Sequence, residues 1–199
     1  MTVAATATSS ALGGWDIIKL VISTGVVTTI INQGVSWFRD SRKDTKANAK
    51  IANYSALCLA VELEAFSIAC ADAISASHMA SNSEGYAGRQ HTKVPDLQSF
   101  PKDIDWKILD PSISAKILTF RNELTLAHQA IVFWYDVASE CVPNECLKQL
   151  GLCGYRAWMM AAELRERYNI PCFDPKILSW DVETLLKKEY DQAVLKSDE

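Results

Sequence analysis

Six cysteines and two closely spaced glutamates are the side chains whose types and spacing come nearest to metal chemistry. Cys58, Cys70, Cys141, Cys146, Cys153 and Cys172 include no C-x-x-C pair. Cys141, Cys146 and Cys153 follow C-x4-C-x6-C, which matches no common zinc site. Cys146 and Cys153 stand seven positions apart and share a helix face, and with His128 they outline a conceivable metal site. The simpler expectation is that the cysteines are small buried hydrophobes in a reducing compartment. Glu62 and Glu64 would serve a di-iron centre only beside Glu-x-x-His on two further helices. The chain has no Glu-x-x-His, so both carboxylates are expected at a bundle edge or facing solvent. It also has no Gly-rich phosphate loop, no G-x-S-x-G and no H-E-x-x-H. No metal and no cofactor is expected.

Arg121 and His128 form the remaining chemical pair, in the sequence R-N-x5-H. Seven residues make about two helical turns, so both side chains lie on one helix edge. The spacing resembles the R-x4-6-H signature of HEPN-family helical ribonucleases, which often carry a polar residue directly after the arginine, as Asn122 does here. The resemblance implies that Arg121 and His128 act together on an RNA phosphodiester, usually within a dimer. It covers eight of the 199 residues. With 20 basic and 24 acidic side chains the chain has a net charge of −4, which gives no field to attract RNA. The main expectation is therefore two solvated side chains flanking a packing seam, with no nucleic-acid partner.

The elements that must position these residues begin with an apolar run. From Leu20 to Phe38 no side chain is charged, and 19 helical residues at about 1.5 Å each approach a hydrocarbon core of about 30 Å. Seven of the 19 are polar (Ser23, Thr24, Thr28, Thr29, Asn32, Gln33 and Ser36). At about 100° per residue they scatter around the whole circumference, so no apolar stripe of the kind a surface-lying helix needs is formed. A transmembrane helix over 15–38 is expected, with Trp15 and Trp37 near the headgroup layers. No basic n-region precedes it, which disfavours a cleaved signal peptide. Residues 1–14 carry no charge and read as a disordered tail.

Charge is distributed unevenly beyond the span. Arg39, Arg42, Lys43, Lys46 and Lys50 against Asp40 and Asp44 give a juxtamembrane segment, 39–50, with a local balance of +3. Residues 51–199 hold 14 basic and 21 acidic side chains, a balance of −7. By the positive-inside rule the N-terminus lies outside and residues 39–199 lie in the cytoplasm. Arg39, Arg42, Lys43 and Lys46 would anchor that topology, and the same charges favour anionic lipid headgroups. The layout resembles that of small single-pass bacterial proteins.

The body, 51–199, reads as helical nearly throughout. From about Thr45 to His78 there is no Gly or Pro, and Tyr54, Cys58, Val61, Ala65 and Ile68 repeat at 3–4 spacing as one apolar stripe, widened by Leu57, Leu63, Phe66 and Cys70. A long loop is expected near 80–110, its first half (81–94) mobile and its second half docked through Phe100, Ile104, Trp106, Ile108 and Leu109. Asp110-Pro111 is a helix start. The seam Ile113, Ile117, Phe120, Leu124, Ala127, Ile131, Trp134 and Ala138 follows, and Pro143-Asn144 closes it. A further helix to about Tyr168 uses Leu147, Leu150, Gly154, Ala157, Ala161 and Leu164, its small centre expected against the 113–138 seam. Asn169 and Pro171 end it, and a last helix spans about Asp181 to Leu195 with Val182, Leu185 and Leu186 inward.

The expected fold class is all-α: one transmembrane helix followed by a cytoplasmic bundle of about four helices. The expected function is a membrane-anchored interaction or regulatory module whose partners are the lipid bilayer and another protein. The alternative is a membrane-tethered ribonuclease using Arg121 and His128.

Overall fold

The computed structural model describes the backbone of residues 26–173 and 181–195, with side chains from residue 47 onward. Among the described residues every element is helical: α1 (Val26–Asn82), α2 (Pro111–Val137), a 3-10 turn (Ser139–Cys141), α3 (Val142–Arg167) and α4 (Val182–Leu195). The chain divides into two units, Met1–Asn48 and Ala49–Glu199. Of the first, only the helical backbone of 26–48 is described, so the expected tail at 1–14 and residues 15–25 of the expected span lie outside the described residues. Among the described residues no helix is long and apolar enough to cross a membrane. The basic segment, 39–50, is part of α1.

The second unit is a helical bundle. The side of α1 that faces its core carries Ala52, Ala56, Leu59, Ala60, Leu63, Phe66, Cys70 and Ile74. This corrects the expected stripe. Leu63, Phe66 and Cys70 are buried, but Tyr54 and Val61 are 58% and 47% exposed, Leu57 and Ala65 are exposed, and Cys58 and Ile68 are half-buried. The helix is apolar around most of its girth, and the bundle has taken the face whose alanines let neighbouring helices approach closely.

α1 also runs four residues past its expected end, to Asn82. The segment after it, expected to be mobile, folds back onto the helix. Arg89 N–H donates to the Ala76 carbonyl at 3.1 Å and His91 N–H to Ser77 Oγ at 3.2 Å. Gly88 sits at φ +77° against the Ala76 carbonyl and the Ala80 nitrogen, where a side chain would collide with backbone. Val94 then enters the core completely. The second half docks as expected: Ile104 and Leu109 are buried, and Phe100 meets Trp106 edge-on with ring centroids 5.8 Å apart.

α2 starts where the acid and proline place it. Asp110 Oδ1 accepts from Ser112 N–H at 2.9 Å and Ile113 N–H at 3.3 Å. Its seam buries Ile113, Ile117, Phe120, Leu124, Ala127 and Ile131, and Phe120 packs edge-on against Phe66 of α1 at 5.7 Å. The connection to α3 is the 3-10 turn, and Pro143 stands inside the first turn of α3, where its missing N–H costs no helical bond. This corrects the expected role of Pro143-Asn144. α3 ends on Asn169 at φ +51°, with Ile170 N–H donating to the Arg165 carbonyl at 2.8 Å and Asn169 N–H to that of Glu166 at 3.2 Å.

Asp181 Oδ1 accepts the Thr184 N–H at 3.0 Å ahead of α4, which buries Val182, Leu186, Glu189 and Ala193. Leu185, expected inward, is half-buried. Within the small centre of α3, Gly154 meets different neighbours from those expected. A methyl group on Gly154 would lie 2.7 Å from Leu186 Cδ2 of α4 and 2.8 Å from Cys70 Cβ of α1. Ser67 Oγ of α1 also donates to the Gly154 carbonyl at 3.0 Å. The close approach at Gly154 is thus made by α1 and α4 rather than by the 113–138 seam.

Candidate functional site

Arg121 and His128 share an edge of α2 that holds the 83–110 segment. The exposed Arg121 guanidinium lies over the Phe100 ring, 4.8 Å from its centroid. The half-buried His128 places Nε2 at 3.1 Å from the Val94 carbonyl oxygen, a bond made by the tautomer that donates from Nε2. Each residue clamps a different point of the segment. His128 borders a surface hollow of about 450 Å³ with Thr125, Gln129, Val132, Phe133 and Asp136, and Arg121 does not line it. The two side chains are thus on one edge but not in one pocket.

The carboxylates differ from expectation more sharply. Glu62 is half-buried, but Glu64 is buried and receives both Nε and Nη2 of Arg165, the latter at 2.7 Å. Arg165 Nη1 also donates to the Pro171 carbonyl. The hydrogen bond to Glu64, with that carboxylate's charge, raises the guanidinium's pKa against the opposing effect of burial. Glu64 therefore belongs to a buried fork joining α1 to α3, and its expected place at the bundle edge is corrected. A second buried acid, Glu189, takes a 3.1 Å contact from His78 Nε2. Sequence reading had no means of finding either pair, because their members lie 101 and 111 positions apart.

Cys70, Cys146 and Cys153 are buried, Cys58 and Cys141 are half-buried and Cys172 is exposed, all as free thiols. Burial pushes the Cys146 thiol up to about 11 and the Cys153 thiol up to about 12, and it raises Cys70 as well. Both burial and the raised pKa run opposite to the partial exposure and lowered pKa of a reactive cysteine. Among the described residues no group of three or more His, Cys, Asp or Glu is placed to hold a metal ion.

Two features of the surface remain. A groove of about 780 Å³ runs between α2 and α3 over Tyr155, Met159 and Met160. Two ion pairs cross it, Lys116 with Glu163 at 2.8 Å and Arg156 with Glu123 at 3.0 Å, and Glu166 also lines it. The outer faces of two helices are apolar. On α1, Ile51, Tyr54 and Val61 are 45%, 58% and 47% exposed, and on α2, Leu126, Phe133 and Val137 are 64%, 59% and 62% exposed. The α1 face could have been found in the sequence, since the helix shows two apolar stripes and a bundle position needs one.

The expected anchoring residues are not tested by these contacts. Trp15 lies outside the described residues, and Trp37, Arg39, Arg42, Lys43 and Lys46 lie on α1 where only the backbone is described. No protein-family model, curated protein or solved structure matches the chain.

Proposed function

We propose that the chain is a helical interaction or regulatory module, anchored in a membrane by a single span at about 15–38, with its N-terminus outside and its bundle in the cytoplasm. The span and the basic residues Arg39, Arg42, Lys43 and Lys46 support the anchoring, and anionic headgroups are the natural surface for that collar. The observation that carries the interaction reading is the outward apolar face of α1, with Ile51, Tyr54 and Val61 each 45% exposed or more. An apolar stripe of this kind on a folded domain marks a binding surface. Reporter fusions at Ser10 and Glu199 test the topology: the Glu199 reporter should be active only on the cytoplasmic side, and activity only on the outer side overturns it.

The ribonuclease reading draws less support. Arg121 and His128 commit their functional groups to Phe100 and to the Val94 carbonyl, and they do not face one pocket. RNA cleavage by the purified chain that disappears in both Arg121→Ala and His128→Ala would reverse this preference.

A further inference from the structure

The groove between α2 and α3 has two ends that differ in chemistry. Ion pairs of Asp110 with Arg167, Lys116 with Glu163 and Glu123 with Arg156 set the two helices antiparallel. Glu166 therefore lies at the end of the groove nearest the start of α2, and Tyr155 lies at the other end, beside the Arg156–Glu123 pair. The two cations of the groove are already engaged. Lys116 Nζ donates to both Glu163 oxygens, at 3.0 and 2.8 Å, and Arg156 Nη2 lies 3.0 Å from Glu123 Oε1. Glu166 is exposed and has no ion-pair partner among the described residues, so the uncompensated charge of the groove is this carboxylate. At the far end Tyr155 of α3 and Tyr190 of α4 both line the groove, half-buried, with ring centroids 5.0 Å apart. The face of a tyrosine ring attracts a cation. Glu166 and Tyr155 stand eleven positions apart on one helix, a distance of about 16 Å. Met159, Met160 and Ala162 line the stretch between them.

We infer that this groove binds a linear aliphatic polyamine, with one ammonium group at Glu166, another against Tyr155 and Tyr190, and the methylene chain along Met159, Met160 and Ala162. Its volume of about 780 Å³ falls within the range of small-ligand sites, about 300–1,000 Å³. Methionine side chains adapt to a flexible chain laid over them. Charge and length together select this class of ligand. An anion would have to break the Lys116–Glu163 or the Arg156–Glu123 pair to find a cation, whereas an ammonium group meets Glu166 as it stands. A wholly apolar ligand leaves Glu166 unanswered, and a short amine reaches only one end. Because Tyr190 belongs to α4, an occupant spanning the groove also ties α4 to α3. The site stands apart from the outward face of α1 and from the anchoring segment, so the proposed function and this inference can fail separately.

The test uses the full chain in nonionic detergent, its methionines carrying isotope-labelled methyl groups, titrated with spermine and followed by NMR. The methyl signals of Met159 and Met160 should move together and saturate, and that of Met79, on α1 outside the groove, should stay in place. Across butanediamine, octanediamine and dodecanediamine the affinity should rise at least fivefold, because only the longest spans both ends. Spermine, as long as dodecanediamine but less apolar, should bind more tightly than octanediamine. Glu166→Gln and Tyr190→Leu should each weaken spermine binding at least threefold. Glu140→Gln, which alters an exposed acid outside the groove, should leave it unchanged. Glu166 is exposed, so its variant carries the test even if Tyr190→Leu does not fold. No saturable shift at Met159 and Met160, an equal shift at Met79, an affinity indifferent to chain length, or a Glu140→Gln effect as large as that of Glu166→Gln overturns the inference.

Discussion

Glu64 and Arg165 meet across 101 positions of sequence and join α1 to α3 by a two-pronged bond in the bundle interior. Arg165 also reaches the Pro171 carbonyl, so one guanidinium fixes the chain as it leaves α3. Both side chains are about nine-tenths buried. Removing one partner strands the other charge away from water, and such losses run to about 3–5 kcal/mol. Glu64→Ala should therefore lower the stability of the bundle by that amount in a denaturant titration. The double variant Glu64→Leu/Arg165→Met removes both charges and should recover most of the loss. A single variant as stable as the parent would show that the pair is solvated.

Gly154 sets two effects against each other. Alanine is a better helix former than glycine by about 1 kcal/mol. The added methyl would stand 2.8 Å from Cys70 Cβ and 2.7 Å from Leu186 Cδ2, and only the latter belongs to a flexible chain end. Overpacking of this kind costs about 1–3 kcal/mol, so the crowding should win. Gly154→Ala is expected to lower the melting temperature, and a rise would mean that α1 and α4 yield easily.

Thiol reactivity should follow burial. At pH 8, an aromatic disulfide reagent should label Cys172 first and Cys70, Cys146 and Cys153 only on unfolding. A buried thiol whose folded pKa is raised resists ionisation that the unfolded chain allows from about pH 8.5. The associated stability is complete below that pH and is lost as pH rises toward about 11 for Cys146 and about 12 for Cys153. Cys153→Ala should show a shallower alkaline fall in melting temperature than the parent. An unchanged slope would count against thiol burial as its source.

Arg121 and His128 should matter to the 83–110 segment more than to the whole fold. The Arg121–Phe100 contact is of a kind worth about 0.5–1 kcal/mol at an exposed site, and the His128–Val94 hydrogen bond about 0.5–1.5 kcal/mol. Each alanine variant should speed amide hydrogen exchange over residues 91–104 while leaving α3 protected. Equal acceleration throughout the bundle would mean that the clamp belongs to the global core.

The seam of α2 was legible because its large residues alternate at three and four positions and the acid before Pro111 caps it, so pattern, cap and burial agree. The core face of α1 departs from the expected stripe because bulk is not what selects the buried side of this helix. Tyr54 and Val61 outweigh Ala52, Ala56 and Ala60 in apolar surface, yet the smaller set permits the closer helix contact. The order of the segment expected to be mobile, 81–94, is not legible in the sequence because its ties are backbone N–H bonds to the Ala76 carbonyl and Ser77 Oγ, which composition does not reveal. Of the proposed site, the charge pattern of the collar and the α1 stripe were in the sequence. The clamp role of Arg121 and His128 was not, since it depends on where Val94 and Phe100 come to rest.

The tether is the central claim, and fractionation of the full chain tests it most directly. Membranes from expressing cells are washed in 1 M salt, where the screening length falls to about 3 Å and purely electrostatic attachment through the basic collar is released. A spanning helix does not respond to salt, so the chain should stay in the pellet and leave it only in detergent. Complete recovery in the soluble fraction without detergent would contradict the anchored reading.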